Sequence, residues 1–169
     1  VYRTGEYALP PHMLSLLDMI APHFRAPSML KALRAMPTRK RSSRPSLRLI
    51  EWLLTIESYN RPLTAIRGDR CIDIHTSYRA VGGTFGHTKE TFDPNRRMVN
   101  NKPCRIWYEQ EGTQYSTVAA AHFLLYCVRN GVIRFAIENH DWISKNMVTA
   151  VSARRQQRSA AKQKGKKMG

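Results

Sequence analysis

The sequence lacks several features that would assign it to a class of protein at once. It has three cysteines, Cys71, Cys104 and Cys127, which are too few and too scattered for a disulfide framework or a paired zinc motif. No apolar run approaches the roughly 18 residues that a membrane-spanning helix needs. We therefore expect a reducing compartment, buried structural thiols and no membrane span.

Acidic residues are also scarce, because 12 Asp and Glu face 28 Lys and Arg, for a net charge of +16 over 169 residues. Two runs contain no acid, Lys31 to Arg48 and Ser152 to Gly169, and each has seven basic residues. The other 14 basic residues (28 − 14) nearly balance the 12 acids. A nearly neutral body with two basic segments is typical of a packed domain with nucleic-acid-binding arms.

Aromatic residues are missing from both basic runs. Without a ring on which a base can stack, we expect phosphate contacts and no reading of sequence. Simple solubility is the alternative explanation for such runs. The predicted nucleic-acid-binding residues are Arg39, Lys40, Arg41, Arg44, Arg154, Arg155, Arg158, Lys162, Lys164, Lys166 and Lys167.

Hydrophobic periodicity predicts an α+β fold, a mostly helical single domain with a small antiparallel hairpin and a basic C-terminal tail. The predicted division is an N-terminal helical segment at 1–37, a basic linker at 38–45, a core domain at 46–151 and the tail at 152–169. In the N-terminal segment, Met13 to Ile20 have helical spacing, and Ser28 can cap a second short helix.

The predicted core domain begins with a helix capped by Ser46, whose apolar face includes Leu47, Ile50, Leu53 and Leu54 and extends to Glu57. After it we expect a strand over Cys71–His75 and a hairpin of 104–108 with 114–118. The stretch Ala80–Pro94 between them is ambiguous, and its glycines make it loop-like. A helix over Val118–Arg129 should stop at Asn130-Gly131, followed by a short helix over Val132–Asn139 and a last helix from Trp142, capped by Asp141, that runs into the tail.

Signals for catalysis are weak. Asp73, His75 and Glu90 are the residue types of a metal-dependent nuclease, but ordinary strand and loop polarity is the favoured explanation of them. Gly82 to Lys89 lacks the Gly-Lys-Ser/Thr order of a phosphate loop. Arg67-Gly68-Asp69 is ordinary turn chemistry. We predict no catalytic residue, no metal and no cofactor.

One succession of residues resembles a known group. It comprises Ser46-Leu47-Arg48-Leu49-Ile50-Glu51-Trp52, Ser77-Tyr78-Arg79, Phe92-Asp93-Pro94-Asn95-Arg96-Arg97, Ser116-Thr117-Val118 and Arg134-Phe135-Ala136-Ile137-Glu138-Asn139. Over roughly Leu47 to Met147, the chain is similar to small, mostly uncharacterised proteins of nucleocytoplasmic large DNA viruses. The resemblance implies a virion-associated or DNA-handling role and brings no catalytic residues with it.

Three functions are compatible with these observations. The first is a non-enzymatic viral structural protein, a minor capsid or virion core component, found in the virion and in the host nucleus or cytoplasm. Its basic arms would bind nucleic acid or acidic virion proteins within a larger assembly. The second is a ribosomal or ribonucleoprotein component that binds structured RNA. The third is a small nuclease using Asp73, His75 and Glu90.

Overall fold

Helices make up most of the described chain, and small antiparallel sheets complete an α+β single domain, as the sequence predicts. The computed structural model describes residues 2–4, 9–29, 31, 45–84, 89–95, 98–99, 102–103, 105–108 and 114–167. Its helices are α1 (Pro11–Ile20), α2 (Leu47–Trp52), α3 (Ser58–Asn60), α4 (Ile74–Thr84), α5 (Lys89–Phe92), α6 (Val118–Arg129), α7 (Val132–Glu138) and α8 (His140–Lys167).

Three short sheets are present in the described ranges, and every strand pair is antiparallel. One sheet has the order β1-β6-β7, and the other two are the pairs β2–β3 and β4–β5. The strands are β1 (Tyr2–Thr4), β2 (Thr64–Arg67), β3 (Arg70–Asp73), β4 (Met98–Val99), β5 (Lys102–Pro103), β6 (Arg105–Tyr108) and β7 (Gln114–Thr117). The predicted hairpin of 104–108 with 114–118 is confirmed by the β6–β7 pair.

One hydrophobic core joins the N-terminal helices to the rest of the chain. Met13 of α1 and Met29 of the helical turn at 27–29 belong to the same buried cluster as Ile50 and Phe123. This turn begins one residue before the predicted cap Ser28. The described residues 9–29 of the predicted N-terminal segment therefore pack as part of the body.

A central helix runs through the core and consists of α2, a π-helical segment (Leu53–Glu57) and α3. The predicted cap is confirmed, because the Leu49 N–H donates to Ser46 Oγ at 3.2 Å. In the π segment the Ser58 N–H donates to the Leu53 carbonyl, five residues back. The wider turn keeps Glu57 and Ser58 buried together with the leucines, so Glu57 does lie on the core side.

The strand predicted over Cys71–His75 ends earlier than expected, and the ambiguous, loop-like stretch Ala80–Pro94 is helical at 80–84 and 89–92, whereas Asp93 and Pro94 lie outside the helices. Asp73 ends β3 and caps α4, because the Thr76 N–H donates to Asp73 Oδ1 at 2.7 Å. Ile74 and Val81 are buried seven residues apart, which is two helical turns. Burial of this face keeps the chain helical as far as Thr84, and α5 follows at Lys89, while residues 85–88 lie outside the described ranges.

The junction between α6 and α7 needs glycine. Thr117 caps α6, and Gly131 has φ +71°, which confirms the predicted left-handed stop at Asn130-Gly131. A Cβ at Gly131 would lie 2.9 Å from the carbonyl carbon of Ile66 and closer still to its oxygen. Strand β2 therefore packs against backbone at this turn.

The last helix starts two residues before the predicted position. Asp141 lies inside the first turn of α8 and does not precede it, because Asn139 alone separates α7 from α8. The Ile143 N–H already donates to the Asn139 carbonyl at 3.0 Å. Helix α8 then continues without a break across the predicted boundary between 151 and 152, to Lys167.

Candidate nucleic-acid interface

Helix α8 has one half on the body and one half in solvent. Ile143 is fully buried, and Met147 packs against the core. From Ser152 to Gln163, every side chain is exposed. We call residues 152–167 the overhang; at 1.5 Å per residue, it extends about 24 Å.

The overhang contains the second predicted cluster of basic residues. Arg154, Arg155, Arg158 and Lys162 are all exposed, and no described acidic side chain pairs with them. The last acid in α8 is Asp141, in its first turn. The backbone of Lys164, Lys166 and Lys167 continues the same helix, while their side chains lie outside the described part of the structure. Among the described side chains, no acid therefore opposes the positive field of the overhang.

Two of these arginines continue the row of residues that fixes α8 to the body. Positions 143, 147 and 151 recur every fourth residue, and Arg154 and Arg158 follow at intervals of three and four. Residues spaced in this way lie along one side of a helix. The row therefore changes from apolar to basic where the body ends. Its basic part continues the side of α8 that packs against the body.

Buried polar contacts hold the first turns of α8. Glu57 is only 6% exposed, and its Oε1 accepts from Arg61 Nε at 2.7 Å and from Asn146 Nδ2 at 3.3 Å. The Arg61 guanidinium lies 5.0 Å over the Trp142 ring, a cation–π contact. Sequence reasoning did not find this group, although Glu57–Arg61 and Trp142–Asn146 both have the i,i+4 spacing of helical neighbours.

The central helix and α8 are antiparallel. Arg61 contacts Trp142, Glu57 contacts Asn146, and α2, which precedes both Arg61 and Glu57, also contacts α8. The beginning of α2 therefore lies toward the end of α8 that leaves the body. Pro45, where the described chain resumes, directly precedes α2. The first predicted cluster, Arg39, Lys40, Arg41 and Arg44, lies outside the described residues and joins the described chain at Pro45.

The nuclease candidates do not form a site among the described residues. The Asp73 carboxylate caps α4, and the hydrogen bond from Thr76 holds the pKa of Asp73 below its usual value of 3.8. His75 packs edge-on against Tyr59, with ring centroids 5.3 Å apart, and its buried Nδ1 has no hydrogen-bond partner. The side chain of Glu90 lies outside the described residues. Within the described ranges, no group of three His, Cys, Asp or Glu side chains is placed to hold a metal ion.

The cysteine prediction is confirmed for one thiol and wrong for another. Cys127 is fully buried, and desolvation raises the pKa of its thiol well above the ordinary value. Cys71 is exposed on the β2–β3 hairpin, because only Ala65 of β2 faces the core there. Cys104 lies outside the described residues.

The two remaining motifs have structural roles. Gly68 and Asp69 form the turn between β2 and β3, with Gly68 at φ +63°, as expected of turn chemistry. Helices α6 and α7, joined at Asn130-Gly131, have the order of a DNA-binding helix-turn-helix, but the second helix is not available to a DNA groove because its Val132, Ile133 and Ala136 are buried.

None of the described helices is long and apolar enough to span a lipid bilayer. The chain matches no model of a protein family, no curated protein and no solved structure.

Proposed function

We propose that this chain is a non-enzymatic viral structural protein, a minor capsid or virion core component, that uses its basic segments to bind nucleic acid or acidic neighbouring proteins. The observation that carries the binding role is the overhang, an exposed helical segment with four described basic side chains and no acid. A segment of this kind contributes little to a core, so its charge is available to a polyanion.

The distribution of charge supports the same role. The two basic runs hold 14 of the 28 basic residues, whereas the remaining 14 face 12 acids. A net charge of +2 (14 − 12) leaves the body free to pack against protein neighbours without strong repulsion. Pro45, which follows Arg44 in the chain, lies toward the part of the body that α8 leaves.

The viral assignment, with its location in the virion and in the host nucleus or cytoplasm, follows from the resemblance over Leu47 to Met147. A ribosomal or ribonucleoprotein component has the same physical requirements, a neutral globule with basic arms. The two functions differ in the polymer that the arms prefer and in the assembly that the chain joins.

The test is a salt titration of binding, with the full-length chain compared with a chain truncated after Val151. The polyanions are duplex DNA, a structured RNA and an acidic protein. If five to seven side chains reach phosphates, the log–log salt slope is about −4 to −6, and truncation removes much of it. The melting temperature should stay the same, because the described side chains after Val151 are all exposed.

Each outcome favours or excludes one assignment. DNA binding that is lost on truncation, together with nuclease-resistant co-assembly with a coat protein, supports the viral structural role. Preference for structured RNA and co-purification with ribosomal RNA would support the ribonucleoprotein role. Binding of neither polymer would leave contacts with acidic proteins as the role of the basic segments.

A further inference from the structure

We propose that the overhang binds B-form double-stranded DNA as a preformed helix seated in the major groove, with Arg154, Arg158 and Lys162 on the phosphates along one side. This inference rests on the proposed function, which requires only that the basic segments bind a polyanion. The further claims are the form of the nucleic acid and the conformation that binds it.

The overhang can dock as a rod because its base is fixed. Glu57 and Arg61 hold Asn146 and Trp142, and Ile143 is fully buried about 2.5 turns before the helix leaves the body. From there the helix continues with no proline, and alanines provide three of its solvent-exposed positions, 153, 160 and 161. An α-helix with side chains is about 10–12 Å across, and the major groove of B-form DNA is about 12 Å wide.

Between residues 152 and 163, the charges of the overhang are on one side of the helix. Arg154, Arg158 and Lys162 follow one another at intervals of four residues, about 6 Å of rise each, and Arg155 lies beside them. The opposite side between residues 152 and 163 is uncharged and carries Ala153, Gln156, Ala160 and Gln163. A basic side suits a row of phosphates along one wall of the groove, and the short or flexible side chains of the opposite side let the helix enter the groove without a steric clash.

The same residues argue against other nucleic acids. Proteins that hold single strands stack the bases on aromatic side chains, and the overhang has none. Double-stranded RNA is A-form, with a deep and narrow major groove that does not admit a helix. Duplex DNA is the polymer that fits both the shape and the charge of the overhang.

Like charges four residues apart also link binding to helix stability. The pairs Arg154–Arg158 and Arg158–Lys162 repel each other and weaken an isolated helix. Phosphates placed along this row neutralise the repulsion, so bound DNA should stabilise the helical form of the overhang.

The first experiment measures binding of the full-length chain, by fluorescence anisotropy, to four probes. These are a DNA duplex of about two helical turns, its single strand, an RNA duplex of the same sequence, and polyglutamate.

The key variant is Ala160→Pro, which breaks the helix in the overhang and leaves every charge in place. Ala160→Gln is the matched control, because glutamine at the same position keeps the helix. We expect the DNA duplex to be preferred, Ala160→Pro to weaken its binding at least about tenfold, and Ala160→Gln to bind as the unmodified chain does.

The second experiment tests the basic side with two single-charge variants. Arg158→Gln should make the salt slope of DNA binding shallower by about 0.9, the value for one lost phosphate contact. Lys145→Gln is the control, because Lys145 is exposed on α8 but lies in the half of the helix that packs on the body, away from the basic row. Its slope should not change.

The outcomes separate this inference from the proposed function. Equal DNA binding by Ala160→Pro and Ala160→Gln would show that binding does not need an intact helix. That result would overturn this inference and leave the proposed binding of a polyanion intact. Tighter binding of single strands or of the RNA duplex would overturn the claim that the overhang binds in the major groove of B-form DNA. Binding of polyglutamate alone would overturn the DNA inference in favour of a protein partner, and no binding to any probe would refute the binding role itself.

Discussion

Two glycines with the same backbone conformation should respond very differently to alanine. Gly68 and Gly131 have φ of +63° and +71°, so alanine at either position would have to adopt the left-handed conformation, which is unfavourable for a residue with a Cβ. That penalty is about 1–2 kcal/mol, offset by about 0.4–1 kcal/mol because alanine restricts the unfolded chain. Nothing lies within 4 Å of a Cβ at Gly68, so Gly68→Ala should cost about 1 kcal/mol or less.

Gly131→Ala carries a second cost. Its Cβ would overlap the carbonyl group of Ile66, and both partners are backbone, so β2 or the start of α7 must move. Overpacking of this kind costs about 1–3 kcal/mol, which brings the total to about 2–4 kcal/mol. Urea unfolding followed by circular dichroism measures both variants, and for a chain of this size each kcal/mol lowers the melting temperature by about 2–4 °C.

The comparison between the two variants is the decisive quantity. Gly131→Ala should be less stable than Gly68→Ala by at least about 1 kcal/mol, the lower end of the overpacking cost. Equal losses would refute the close approach of β2 to the α6–α7 turn. A change in the slope of the urea transition for one variant would instead indicate an altered native or denatured state.

Three further perturbations test other parts of the fold. Ser46→Ala should lower the free energy of urea unfolding by about 1 kcal/mol, because it removes the cap of the central helix. Ser46→Asp should retain most of the stability, because aspartate also caps helices; equal losses would contradict the capping role. The lowered pKa of Asp73 means that its carboxylate stabilises the fold above about pH 3.8 and that this contribution disappears as the pH falls through the folded pKa. Acid unfolding of Asp73→Asn should therefore lack this component, and an acid transition identical to that of the unmodified chain would contradict it. Burial raises the pKa of Tyr78 and Tyr126 from 10.0 to about 12. The contribution of these two tyrosines to stability should therefore be constant below pH 10 and fall between pH 10 and 12. Ultraviolet titration should show late-ionising tyrosines, and Tyr78→Phe and Tyr126→Phe should each reduce their number.

Local sequence signals predicted the elements whose cause is itself local. Ser46 and Asn130-Gly131 were identified as a helix cap and a helix stop, and the structure confirms both. Helix α4 was missed because Gly82 and Gly83 indicate a loop, whereas burial of Ile74 and Val81 on one face decides the conformation. Strand β2 was missed because only Ala65 of its four residues is buried, so it shows no alternation of apolar and polar residues.

The candidate interface was predictable in composition and not in geometry. The charges of the overhang are evident from the sequence, since seven basic residues follow Ser152 without an acid. The Glu57–Asn146 contact joins residues 89 positions apart, and no local pattern contains it. The direction of α8 relative to α2 follows from that contact and therefore required the tertiary structure.

The pairing of β1 with β6 affects how the protein is made. Tyr2–Thr4 pairs with Ile106–Tyr108, so β1 leaves the ribosome without its partner, which is translated more than 100 residues later. At about 5–20 residues per second, this wait lasts about 5–20 s. Helix α8 follows β6 and β7 in the chain, and the overhang is therefore translated after all three strands of the sheet. A nascent chain can thus close its sheet before its basic helix becomes available to bind nucleic acid.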